Sequence, residues 1–260
     1  METPNLPAIP DDLRKELLSE QADQIGPHLD LPRLKIMPAA AGLFEFSDTQ
    51  DTLREFSGVV LNSHGRNVLW PHPYGHVLAP DEPSGPACVS GDGTTGSPRE
   101  GYTHAGLGGT ADGTEQMACG VCPYNQWGSA SIIGKSGAGK ACTNQRSVYI
   151  MVEGRGLPYE MVLPPTSLNE FDAYLTMLTN QGVPAQAVLT EFSQEKVERG
   201  TIAWSVAKFT MGDVLSDEAF ALVRERRAKF LDAISPRAPI AEADWYGEGE
   251  DDEEGENTPF

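Results

Sequence analysis

From Pro71 to Ala118 the chain runs through Gly, Pro, Ser and Thr with little hydrophobic periodicity. A compact domain accommodates so long an irregular stretch only as a functional insertion or where something staples it. The sequence offers a staple. Its only four cysteines are Cys88, Cys119, Cys122 and Cys142. One Cys-x-x-Cys pair with two outlying cysteines is a donor pattern for tetrahedral Zn²⁺, the close pair forming a knuckle and the outliers arriving from neighbouring loops. In Ala118-Cys119-Gly120-Val121-Cys122-Pro123 the small residues let backbone N–H groups face thiolate sulfur. A redox pair is an alternative, but the helix-opening setting of a thioredoxin-type motif is missing. Two disulfides would need an oxidising compartment. The expectation is one structural Zn²⁺ on four thiolates, a closed site without a catalytic opening. His64, His72, His76 and His104 lie in loop-like stretches and read as turn histidines, with His104 a substitute fourth ligand. Pro71 and Pro73 deny His72 and His76 a helix.

Charge is the next constraint. The net charge is −19, and Glu242–Phe260 holds nine of the acids and no Lys or Arg. Without those nine, 29 acids face 19 bases and the balance is −10. A Gly-interrupted acidic run cannot bury a core, so residues 239–260 are expected to be a disordered tail. Any nucleic-acid groove must then be a local patch, since such grooves are basic. The segment from Cys119 to Tyr149 qualifies: it carries Lys135, Lys140 and Arg146 and no acid. No apolar stretch approaches the roughly 18–20 residues of a membrane span. The N-terminus lacks the pattern of a signal peptide, so a cytoplasmic protein is expected.

The local patterns predict an α+β, mainly β chain. A helix is expected over 10–25, within an N-terminal arm of residues 1–30, with Leu13, Leu17, Leu18 and Ile25 as its apolar stripe. Short strands are expected at 34–36, 43–46, 58–61 and 67–70, the last two separated by a turn at Ser63-His64-Gly65-Arg66. A hairpin follows, from strands at 147–153 and 159–163. Ser167 and Glu170 then read as a capping box for a helix with Leu168, Phe171, Leu175 and Leu178 on its inner face. Two more strands, 187–192 and 201–209, precede a last helix from Ser216, in a segment spanning 216–238, with Phe220, Val223, Phe230, Leu231 and Ile234 buried. These elements suit an OB-like small barrel over 31–215, with a zinc-binding insertion at about 85–145 and flanking helices.

Gly134-Lys135-Ser136-Gly137-Ala138-Gly139-Lys140-Ala141 nearly matches a phosphate-binding P-loop. Ala141 stands where Ser or Thr should ligate Mg²⁺, and Cys142 and a β-branched run replace the expected helix. Nucleotide hydrolysis is therefore not expected. Glycines and two lysines still suit a loop that approaches a nucleic-acid backbone. Aromatic rings would supply stacking for single-stranded bases. The candidates are Trp70, Tyr74, Tyr124 and Trp127 near the basic segment, and Phe46 on a strand just after Arg33 and Lys35. Arg66 adds a further cation in the expected turn.

A Cys-rich zinc subdomain in an OB-like body, followed by an acidic arm ending in Pro259-Phe260, resembles phage-type helix-destabilising, single-stranded DNA-binding proteins. The stretch from Leu31 to about Leu215, with Cys119-Gly120-Val121-Cys122-Pro123-Tyr124-Asn125-Gln126-Trp127-Gly128-Ser129 and Leu163-Pro164-Pro165-Thr166-Ser167-Leu168, is similar to a group of phage proteins. The resemblance implies a non-enzymatic protein that coats single-stranded DNA during phage or mobile-element replication or recombination, in a host cytoplasm. It also implies that Asp251, Asp252, Glu253, Glu254, Pro259 and Phe260 recruit replication or recombination proteins. The alternative is a zinc-stabilised interaction or regulatory protein, a DNA mimic for a basic partner. A metal-dependent nucleic-acid enzyme is the third reading.

Overall fold

The computed structural model describes residues 31–37, 42–72, 85–99, 116–135, 137–199 and 202–236. The expected helix over 10–25 and the acidic tail lie outside the described residues. Strands β1 (Leu34–Ile36), β2 (Phe44–Phe46) and β3 (Thr52–Leu53) make a small antiparallel sheet. Then comes β4 (Phe56–Leu69), a single strand of fourteen residues. It runs through the place where a turn was expected at residues 63–66.

Gly65 explains the discrepancy. It signals a turn in sequence, but here it makes room for another backbone. A Cβ built on Gly93 would stand 2.9 Å from the Gly65 carbonyl carbon, and Gly93 has φ +72°. Two glycines thus let the next hairpin press against the middle of β4. That hairpin is β5 (Cys88–Ser90) and β6 (Thr95–Pro98), with β7 (Met117–Ala118) beyond it. Among the described residues the irregular stretch therefore holds three strands, each too short to show a period of two.

The sheet is completed by β8 (Cys142–Val152) and β9 (Pro158–Leu163), then, after helix α1 (Pro165–Asn180), by the ribbon β10 (Val188–Arg199) and β11 (Ile202–Val214). β8 pairs with β4 from Gly58↔Val152 to Leu69↔Cys142. The opposite edge of β4 is shared, by β10 at Phe56–Gly58 and by β5 at Asn67–Leu69. Barrel closure requires the outer strands to pair with a consistent stagger. The strand path instead ends at β11 and β7, and β9 pairs only with β8 within it. The expected barrel is thus corrected to an open, mainly β α+β fold, with two helices among the described residues.

Alternation along β4 and β8 buries both faces of the sheet. Val60, Val148, Ile150 and Val152 face Phe44, Phe46 and the α1 residues Phe171, Tyr174 and Leu178. At the centre Phe56 stacks on Phe192 at 4.5 Å and 4° and takes the edge of Phe44 at 4.9 Å and 88°. On the other face Val59, Leu61 and Tyr149 pack under Val223, Phe230 and Ile234, which belong to α2 (Asp217–Lys229) and the turns after it. The register slips between Val60 and Asn62, taking Leu61 out of the ladder. Its carbonyl accepts instead from Arg227 Nε (3.0 Å) and Gln186 Nε2 (3.3 Å). This bulge is what fastens α2 to the sheet.

Both helix starts follow capping chemistry, though only one as expected. Ser216 caps α2, its Oγ accepting from the Ala219 N–H, with Asp217 and Glu218 in the first turn. In α1 the pair Pro164-Pro165 sets the start, because proline has no N–H to orphan there. Ser167 therefore lies inside the helix, fully buried, where its Oγ accepts from Ala207 N–H at 3.0 Å. Glu170 pairs with Lys208 at 2.9 Å, and no capping box forms. At the end of α2 Leu231 is exposed rather than buried.

Candidate functional site

The four cysteines meet at one end of the sheet. Leu69, the last residue of β4, is in register with Cys88 on β5 and with Cys142 on β8. Directly opposed residues share a face, so both thiols emerge on the Leu69 side. Cys119 follows β7, held by its N–H to the Thr94 carbonyl at 2.8 Å, and Cys122 closes the Cys-x-x-Cys turn. All four line a cavity of about 20 Å³, together with Asn67, Asn125 and Tyr124. That is room for one water-sized group or ion, and not for a base or a nucleotide. Gly96 keeps it open: a Cβ there would lie 3.0 Å from Cys88 Sγ and 3.6 Å from Cys119 Sγ.

The knuckle is tied from outside by amides. Asn125 Nδ2 donates to the Cys119 carbonyl (3.0 Å), and Gln126 Nε2 donates to the carbonyls of Gly120 (3.0 Å) and Cys122 (3.2 Å). Burial raises the pKa of the Cys122 thiol, against the neighbouring N–H groups of Tyr124 and Asn125, which favour its thiolate. Burial, then the other three thiols, also pushes Cys88 up. Burial and the neighbouring thiols push Cys142 up to about 12, with Lys140 and Lys135 pulling the other way. Crowding four thiols in one dry site is unfavourable for thiolates unless a cation joins them.

All four thiols are free. Cys88 and Cys142 flank β4, about 9–10 Å apart at the backbone by two strand spacings. That exceeds the roughly 7 Å limit of a disulfide. No group of three or more His, Cys, Asp or Glu among the described residues is arranged to hold a metal ion as placed. The donor chemistry nonetheless suits one: four sulfurs, amide donors on sulfur, and a glycine that leaves an ion-sized void. His64 is engaged elsewhere, 3.1 Å from the Tyr149 hydroxyl, and His76 and His104 lie outside the described residues.

Asp92 fixes the β5–β6 turn that carries Cys88 to this site. Its Oδ1 accepts from Ser90 Oγ (2.9 Å) and from the N–H groups of Thr94 and Thr95 (2.7 Å each). Burial would raise its pKa, but these hydrogen bonds prevail and hold it at about 2. A depressed folded-state pKa stabilises the fold above the unfolded value of ~3.9, and that stability is lost as pH falls toward 2. Asp92→Asn is expected to be less stable than the unaltered chain at pH 7, with the gap closing near pH 2. Urea unfolding across that range checks it, and a gap independent of pH would contradict it.

The proposed DNA contacts are dispersed. Phe46 is 0% exposed and Tyr124 3%, so both belong to cores and offer no ring face to a base. Lys35 pairs with Glu45 (3.7 Å), Arg66 with Glu160 (4.0 Å) and Arg146 with Asp172 (2.8 Å). Arg33 bridges through its backbone to Glu160 on β9, which is opposite Tyr149, seven residues along β8 from Cys142. Tyr74 and the six tail residues lie outside the described residues. Four residues do gather at the cysteine end. Trp70 follows Leu69 and is 43% exposed; Trp127 is 80% exposed. The next residue, Gly128, donates its N–H to the carbonyls of Ala138 and Gly139. Lys135 and Lys140 lie in that same loop, and neither has an ion-pair partner among the described residues. After Ala141 the chain enters β8, so no helix N-terminus faces the P-loop-like segment.

Asn67, Asn125 and Asn144 were not singled out in the sequence, yet they bond to one another beside the cavity. Asparagine is depleted in strands. Asn67 and Asn144, one on each side of a strand pair, were therefore the available signal. No protein-family model, curated protein or solved structure matches the chain. No described helix is long and apolar enough to cross a membrane.

Proposed function

We propose that this protein is a non-enzymatic single-stranded DNA-binding protein whose bases stack on Trp127 and Trp70 beside a structural zinc centre. The observation that carries the reading is Trp127, 80% exposed in a segment free of acids. An exposed indole held by a rigid turn has a cost in water and a use against a base. Zn²⁺ on Cys88, Cys119, Cys122 and Cys142 would join the β5 hairpin, the knuckle and the start of β8, and so hold that turn. Lys35, Arg66 and Arg146 would have to leave acidic partners to meet phosphates, so stacking is the main term. The OB-like comparison extends only to a mainly β surface carrying aromatic side chains. Recruitment of replication or recombination proteins by the tail, and action in a host cytoplasm, belong to the same proposal.

Anisotropy of a labelled oligo-dT tests it. Binding is expected at about 50 mM salt, with a loss of no more than about tenfold at about 200 mM, as for one or two phosphate contacts. Trp127→Ala is expected to weaken binding by roughly 5–150-fold, the equivalent of about 1–3 kcal/mol of stacking. A chain that fails to bind oligo-dT at the lower salt would sink the proposal and favour the acidic interaction protein instead.

A further inference from the structure

Lys140 is held more firmly than a surface lysine needs to be. Its Nζ donates to Asn144 Oδ1 (3.0 Å) and Asn125 Oδ1 (3.3 Å). Asn144 Nδ2 donates in turn to Asn125 Oδ1 (3.0 Å) and to Asn67 Oδ1. Asn67 Nδ2 is fixed on the Gly93 carbonyl (2.8 Å), and Asn125 Nδ2 on that of Cys119. Asn67 and Asn125 are also walls of the cysteine cavity. Lys135 reaches the same place from the other end of the loop, its Nζ donating to the Ala141 carbonyl (3.3 Å) just before Cys142.

Fixing a lysine costs rotamer entropy, and neutral amides return little of its charge. The usual compensation is an acid, yet none exists between Cys119 and Tyr149. Among the described residues neither lysine pairs with an acid, and the cavity lining beside them holds four thiols and no Asp or Glu. Four thiolates around one Zn²⁺ carry a net charge of −2, and two ammonium groups would balance it. We propose that Lys135 and Lys140 are positioning cations of the metal centre, which offset the charge of the tetrathiolate rather than that of DNA phosphates. Outer-shell groups of this kind tune ligand charge and orientation. The inference rests on the zinc assignment above, and it assigns to the near-P-loop a role that its sequence disguised.

Zinc affinity by competition with a chromophoric chelator tests it, with the zinc-loaded, full-length chain. Lys135→Gln/Lys140→Gln is expected to lose roughly 10–100-fold in zinc affinity. The cobalt-substituted double variant should keep the thiolate-to-metal band, because the ligands are unchanged. Its oligo-dT salt slope should equal that of the unaltered chain. Lys140→Arg keeps the charge and should bind zinc within about threefold of the unaltered chain, which also covers failure of the double variant to fold. Zinc affinity unchanged in the double variant, with a salt slope reduced by about 0.7 per lysine, would identify phosphate contacts and overturn the inference. A fall in Lys140→Arg as large as in Lys140→Gln would also overturn it. The unaltered chain is assayed first. If it takes up no zinc, the metal centre itself fails; if it holds one and the variants match it, only the role of the lysines fails.

Discussion

Cys142→Ser is expected to take the protein from about one zinc per chain to almost none and to lower oligo-dT affinity with it. Cys142 is the first residue of β8 and is in register with Leu69, so its thiol is fixed by the sheet, and among the described residues the cavity lining holds no His, Asp or Glu to replace it. Small zinc-dependent folds draw about 10–16 kcal/mol of apparent free energy from four ligands. Three thiolates and a hydroxyl keep only part of that, and the thiolates left behind repel one another. The knuckle would then rely on hydrogen bonds alone, those of the Asn125 and Gln126 amides and of Gly128 and Ser129 around Trp127. Metal analysis and oligo-dT anisotropy on the same preparation give the answer. A variant that kept a full zinc, or that lost its zinc yet bound DNA as before, would break the link between the centre and the stacking surface.

Phe192→Ala should destabilise the fold by about 3–5 kcal/mol. Phe192 is almost fully buried, stacked on Phe56 and edge-on to Phe209 at 5.7 Å and 83°. It sits where β10 joins β4, at Phe192↔Phe56, so its removal leaves a void at a strand junction as well as an unpaired ring. The surrounding rings are themselves fixed by edge contacts, Phe44 on Phe56 and Phe46 on Tyr159, which limits relaxation into the void. Domains have a total stability of about 5–15 kcal/mol, so this single change would remove a large share. Urea unfolding should show a lower midpoint with an unchanged slope. A loss below about 1.5 kcal/mol would mean that the aromatic layer repacks and does not determine stability there.

The elements that could be read from the chain were those whose signal is local. The β8–β9 hairpin follows from β-branched and aromatic runs around Gly154-Arg155-Gly156, and α2 from Ser216 and its acidic first turn. The elements misread were those whose residues answer to distant partners. Gly65 looked like a turn because its actual partner, Gly93, is remote in sequence. Ser167 looked like a cap because nothing nearby shows that Ala207 N–H will need its hydroxyl. Barrel closure was expected from strand number, whereas the open sheet depends on β5 and β10 sharing one edge of β4. At the site, the cysteines were legible because thiols have few uses in such a pattern. The aromatics were not: Tyr124 and Trp127 are three residues apart, and only packing decides that one is buried and the other exposed.

β4 enters all three cores formed by the described residues. Phe56 and Val60 belong to the aromatic layer, Val59 and Leu61 to the layer under α2, and Leu69 to the cysteine cavity. Local opening of any one layer must therefore loosen a strand on which the other two depend, and the three are bound into one cooperative unit. The outer part of the β10–β11 ribbon escapes this coupling. From Ser193 onward β10 pairs with β11 alone, and beyond Ala207, which Ser167 Oγ ties to α1, the ribbon can separate without disturbing β4. Breathing of the backbone is thus directed away from the end of the molecule that carries the cysteines and Trp127.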